Sequence, residues 1–184
     1  YTGMTHHHSV FGVATLSTKH TSQAKPSFNE ACNGIKRLIQ QAKFSQAIAL
    51  CHQQLAGDLS NDNRVEVLYL LVVALRLNGE LSEALETNKT LLEANSKHAR
   101  AWQENGYLYL ALREPQHAAQ SFYQATQLNP ALLASWRALL PLYQQQGNAK
   151  AMAISQAQID YLAGLPNAVL GAKDLMYEGN LHGA

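Results

Sequence analysis

Large apolar residues return along this chain at helical intervals, and the whole pattern comes back about 34 residues later. The clearest stretch is 99–132, where Trp102, Tyr109 and Phe122 are the bulky members and Gly106, Ala118 and Ala125 the small ones. Small residues let two helices approach, and bulky ones fill the space beside them. One step back, Leu68, Leu71 and Leu75 take the large places, Ala84 takes that of Ala118, and Gly79 marks a turn. Further back, Phe44, Ala47, Ile48 and Cys51 repeat the spacing of Leu81, Ala84, Leu85 and Asn88, with three extra residues assigned to the loop near Asp62. One step forward, Trp136, Leu139, Leu140, Tyr143 and Gly147 repeat Trp102, Asn105, Gly106, Tyr109 and the turn. A last copy begins near Leu165, with Gly179, Leu181 and Ala184 echoing Gly79, Leu81 and Ala84. The pattern predicts paired helices in repeats at 28–61, 65–98, 99–132 and 133–164, and a truncated repeat over 165–184.

Punctuation between the periodic stretches agrees. Ser27-x-x-Glu30 after Pro26 is a capping box and should open the first helix. Asn78-Gly79 and Gly147-Asn148 should close first helices, because Gly and Asn accept a left-handed backbone. Glu114-Pro115 is expected to do that work in the third repeat, and Asn129-Pro130 to stop its second helix. Pro141 falls inside a first helix and should kink it. Residues 1–26 are rich in Thr, Ser and His without a long periodic pattern, so they are expected to form a flexible arm ahead of an array over 27–184.

The run 99–132 resembles the tetratricopeptide repeat superfamily. Trp102, Gly106, Tyr109, Ala118, Phe122, Ala125 and Pro130 fill seven of the eight marked places of that pattern, and Asn105 stands where Leu is preferred. The resemblance extends over 28–184 and implies an all-α, right-handed superhelix of helix-turn-helix repeats that bind peptides or other proteins. A solenoid usually ends in a helix with a polar outer face, whereas 167–178 carries Leu170, Leu175, Met176 and Tyr177. With the three residues ahead of Met4, this suggests a piece of a longer protein.

Charge excludes some partners. Fourteen Lys and Arg balance 13 Asp and Glu, leaving no electrostatic footprint for nucleic acid or an anionic membrane. No apolar run reaches the ~20 residues that span a bilayer, and Val10–Leu16 is too short and wrongly flanked for a secretory signal. Cys51 falls on a core place and Cys32 on the concave face, in keeping with a reduced, cytoplasmic setting. His6, His7, His8 and His20 lack the spacing of a zinc site, and no catalytic motif or phosphate loop is present. No catalysis, metal or cofactor is expected of these residues.

In repeats of this type the first helices line the inside of the superhelix. Helical spacing then assigns a groove: Lys36, with Cys32, in the first repeat; Glu66, Tyr69, Val73 and Arg76 in the second; Arg100, Gln103, Tyr107 and Leu110 in the third; Arg137 and Gln144, with Ala134 and Pro141, in the fourth. Aromatic rings beside charged and amide groups suit an extended peptide. One peptide-binding subset of the superfamily grips a C-terminal carboxylate with Lys, Asn and Arg. The matching places here hold Cys32, Lys36, Leu70, Arg100 and Glu104, so that clamp is largely missing. The arm itself is a candidate occupant, with Val10, Phe11, Val13 and Leu16 docking near Tyr69 and Tyr107.

A narrower resemblance is to the repeat region of bacterial tetratricopeptide-repeat sulfotransferases. It is carried by Ala101–Gly106, by Leu128, Asn129, Pro130 and Trp136 through Leu139, by Tyr161–Pro166, and by Leu175, Gly179, Asn180 and Ala184. It implies a parent enzyme whose catalytic domain follows residue 184. None of that domain's donor-binding loop or catalytic residues lies in this sequence.

Overall fold

The computed structural model describes residues 24–182. They form four helical hairpins and a single closing helix. The hairpins are α1 (Phe28–Gln40) with α2 (Phe44–Leu55), α3 (Asn61–Leu77) with α4 (Leu81–Ala94), α5 (Ala99–Ala111) with α6 (Pro115–Leu128), and α7 (Leu133–Gln145) with α8 (Ala149–Ala163); α9 is Asn167–His182. No strand occurs among the described residues. Successive helices through α8 pack on one another, and first helices also meet across repeats, α1 on α3 and α3 on α5. The expected docking of the arm through Val10, Phe11, Val13 and Leu16, and the histidines near the start, lie outside the described residues.

All four hairpins turn through one equivalent position of positive φ: Ala42 at 56°, Gly79 at 81°, Arg113 at 60° and Gly147 at 66°. The following amide donates back five residues each time, Lys43 to Leu38, Glu80 to Leu75, Glu114 to Tyr109 and Asn148 to Tyr143. This pattern satisfies carbonyls that the helix end would orphan. The third turn corrects an expectation: Arg113 takes the left-handed conformation, and Glu114 stands just ahead of α6 without a side-chain capping bond, with Pro115 in the first turn of that helix.

The capping box forms as expected, with the Glu30 amide donating to Ser27 Oγ and the Ser27 amide to Glu30 Oε2, both at 3.2 Å. The extra residues near Asp62 do not lengthen a loop. They extend α3 by a turn at its start, where Ser60 Oγ accepts from the Asn63 amide. Pro141 sits exposed inside α7, which continues past it to Gln145.

The core explains the small and large places. A Cβ built on Gly106 would lie 2.7 Å from the ring of Phe122, so that crossing admits only hydrogen. Phe122 is fully buried and Trp136 nearly so, while Trp102, Tyr109 and Tyr143 are partly buried. Burial on this scale contributes about 1.5–3 kcal/mol per large side chain. The two indoles, one repeat apart, make the same bond: Trp102 Nε1 donates to the Ser96 carbonyl and Trp136 Nε1 to that of Pro130, each at 2.9 Å. Asn105, the departure from the repeat pattern, accepts from buried Asn88 Nδ2 at 3.0 Å. An unusual polar core residue has thus brought its own partner.

Candidate partner-binding groove

Stacked first helices present their third- and fourth-spaced side chains along one face, and most of the predicted residues there belong to three groups of contacts. Lys36 and Glu66 bridge α1 and α3 with Nζ 3.6 Å from Oε1, both about half exposed. They border an open cleft of about 530 Å³, whose lining includes Phe28, Cys32, Asp62 and Asn63. Cys32 is only 4% exposed and is therefore less a groove side chain than expected.

The second group is largely shielded from water and joins α3 to α5. Arg76 meets Glu104 through both carboxylate oxygens, Nε to Oε2 and Nη2 to Oε1 at 3.1 Å. Glu104 is 3% exposed, in the place that Leu70 and Ala138 hold in adjacent repeats. The Arg76 guanidinium lies 4.7 Å above the ring of Tyr107, which rests edge-on against Phe122. A charge held this far from water requires such a fixed partner. Burial and the nearby Glu104 push the Tyr107 hydroxyl above its ordinary pKa, with Arg76 opposing. Val73 is partly buried on the same helix as Arg76.

The third group was not foreseen. Helix α9 begins beside α7, where Leu170 packs with the Trp136 and Leu139 cluster, and then runs across to the start of α5. There Arg100 Nη2 donates to Asp174 Oδ2, and Arg100 Nε stands 3.6 Å from Glu178 Oε1. Fully buried Asn129 donates through Nδ2 to Asp174 Oδ1 at 2.7 Å and Glu178 Oε1 at 3.4 Å, while its Oδ1 accepts from the Ala131 amide at 3.0 Å. A cleft of about 330 Å³ remains under α9, lined in part by Arg100, Gln103, Leu133 and Gly171. Gln103 is buried and accepts from Ser135 Oγ at 2.7 Å.

Tyr69 ties the last two groups together. It is partly buried, lies 5.3 Å from the His98 ring, and has its pKa pushed up to about 12. Burial is the main cause, then Glu104; Glu178 also raises it, while Arg100 and Arg76 lower it. Leu110, Arg137 and Gln144 are exposed and stand apart from this network.

The structure thus brings the predicted Tyr69, Arg76, Arg100, Gln103 and Tyr107 close together on α3 and α5, and adds Asn129, Asp174 and Glu178, which the helical stripe did not include. Glu104 carried a legible signal, a charge at a place that is apolar one repeat to either side. The carboxylates of α9 carried only their spacing of one helical turn.

Comparison with known proteins agrees on the fold. No family model matches the chain. The mouse protein "Superkiller complex protein 3" is 35% identical over 75 residues, which is 40% of this chain and 5% of that protein. The chain therefore spans a small fraction of the length of that curated relative. Among solved structures, "Crystal structure of MamA" superposes with a TM-score of 0.64 at 15% identity, over 76% of this chain and 82% of that one. "MamA 41-end from Desulfovibrio magneticus RS-1" gives 0.61 at 16% identity, over 76% and 77%. The fold is a tetratricopeptide-like helical solenoid. Among the described residues, no helix is long and apolar enough to cross a membrane.

Proposed function

We propose that this chain is a non-catalytic scaffold that holds a peptide or protein segment along the face of its first helices. The observation that carries this reading is the convergence of Tyr69, Arg76, Arg100 and Tyr107, from two successive first helices, onto a surface against which another helix already lies. Aromatic and Arg side chains are the types that most often carry binding energy at interfaces. The free cysteines fit a reducing, cytoplasmic setting. A displayed peptide library panned on the chain, followed by hydrogen exchange of the captured complexes, tests the proposal. Protection is expected in α3 and α5. Failure to enrich any sequence, or protection confined to α4, α6 and α8, would sink it.

The second reading, a regulatory or substrate-presenting domain of a sulfotransferase, rests on sequence resemblance alone. Any longer sequence that contains this chain would decide it, through the presence or absence of a strand followed by a phosphate-binding Gly-rich loop.

A further inference from the structure

We infer that Arg100 and Asn129 form a receptor for two side-chain carboxylates one helical turn apart, that α9 occupies it with Asp174 and Glu178, and that the natural partner is an acidic helical segment which displaces α9. The inference rests on the groove-binding reading and names the ligand chemistry of that groove.

Complementarity at this place is two-fold. Arg100 brings a cation to both acids, and Asn129 brings a donor to both. Asn129 is fully buried with α9 in place, so any helix that covers it and excludes water must supply acceptors for its amide protons. Asn95, one repeat earlier, has the same extended backbone, and its Oδ1 likewise accepts from the amide two residues on. Only at Asn129 does a carboxylate-bearing helix cover that position among the bonds of the described residues. The receptor differs from a grip on a C-terminal carboxylate, because both acids belong to side chains in the middle of a helix.

The same contacts make α9 replaceable. Its outward side leaves Val169, Leu175 and Met176 at 42%, 73% and 50% exposure, so little apolar burial retains it. Among its described side chains, what remains is ion pairs about a quarter to a third exposed, a polar bond to Asn129, Leu170 on the α7 cluster, partly buried Tyr177, and Lys173 at 5.7 Å from the Tyr161 ring. Elements held this way open at lower free energy than the core. A rival with the same acid spacing can take the receptor without unfolding the hairpins.

The probe is a fluorescent, C-terminally amidated peptide with the sequence of residues 166–182, titrated by anisotropy into the full chain. The double variant Asp174→Asn, Glu178→Gln should bind it roughly tenfold more tightly than the unaltered chain, because the competing helix is weakened. Adding Arg100→Gln to that variant should cost at least about tenfold, and a peptide with Asn and Gln for its two acids should not bind. In the unaltered chain, excess peptide should speed amide exchange across α9 while slowing it at the start of α5. Melting curves by circular dichroism check that each variant folds, and the exchange arm needs no variant. Equal binding by the unaltered and double-variant chains, indifference to Arg100→Gln, or unchanged α9 exchange under bound peptide each overturns the inference. Library peptides that bind the groove yet ignore Arg100→Gln would remove the receptor and leave the scaffold standing; a face that takes no peptide in any variant removes both.

Discussion

The two ends of the groove each set opposite charges on adjacent first helices and reach opposite electrostatic outcomes. At the α1–α3 end, Lys36 and Glu66 face each other with side chains 50% and 44% exposed, beside an open cleft. At the α3–α5 end, Arg76 and Glu104 pair at 21% and 4%, backed by Tyr107, with α9 bonded to Arg100 on the same helix as Glu104. Opposite charges on adjacent helices are common to both. What differs is access to water, which sets both the value of the pair and the cost of breaking it.

The largest effect should come from splitting the buried pair. Arg76→Ala strands Glu104 and should cost about 3–5 kcal/mol in urea unfolding. Adding Glu104→Leu, the residue found at the equivalent Leu70, should recover most of that loss. A cost for Arg76→Ala no greater than for an exposed pair would erase the distinction between the two ends.

Next is the backing of the closed end. Gly106→Leu must push the Phe122 ring away and with it the edge on which Tyr107 rests, at a cost of about 1–3 kcal/mol. Hydrogen exchange should quicken in α5 and α6 and stay unchanged in α1 and α2. Uniform quickening along the array would mean that the two ends are not independent.

Alkaline pH probes the closed end through Tyr69. The Tyr69 hydroxyl is raised from 10.0 to about 12, so the unfolded chain releases that proton first. Its share of stability is intact below pH ~10 and is lost as pH climbs towards ~12. Buried Cys51, raised from 9.0 to about 12, adds a similar loss beginning about one unit lower. Tyr69→Phe should therefore flatten the stability–pH curve only above pH ~10, as measured by denaturant midpoints. An unaltered curve would place that hydroxyl in water.

The smallest effect belongs to the open end. Lys36→Ala should change stability by about 0–1 kcal/mol, and less in high salt. A larger value in the same urea assay would show that the pair is not as exposed as its surface suggests.

Much of the fold was legible because one spacing recurs at many chemically strict places. Gly79 and Gly147 announce their turns, since glycine bears a left-handed backbone without penalty. Ala42 and Arg113 hold the same conformation but do not advertise it, and only their register with the two glycines gives them away. The shared face of Tyr69, Arg76, Arg100 and Tyr107 on α3 and α5 followed from helical periodicity. The receptor did not, because it joins the second residue of α5, the cap of α6 and two acids of α9 across 45 and more positions. Repeat logic predicts neighbours that stack, and α9 departs from it by crossing. Nothing in the acid spacing of a single helix names the Arg that it will meet.

Only residues 164–166 join α8 to α9. A helix on so short a tether never diffuses away, and its two acids face Arg100 at an effective concentration on the order of millimolar. Any free acidic peptide competes against that local concentration, so a sparse or weak ligand is excluded even when its chemistry matches. The short connector thus sets a concentration threshold for entry to the groove. Ligands delivered in clusters, or held nearby by a second contact, would cross it first.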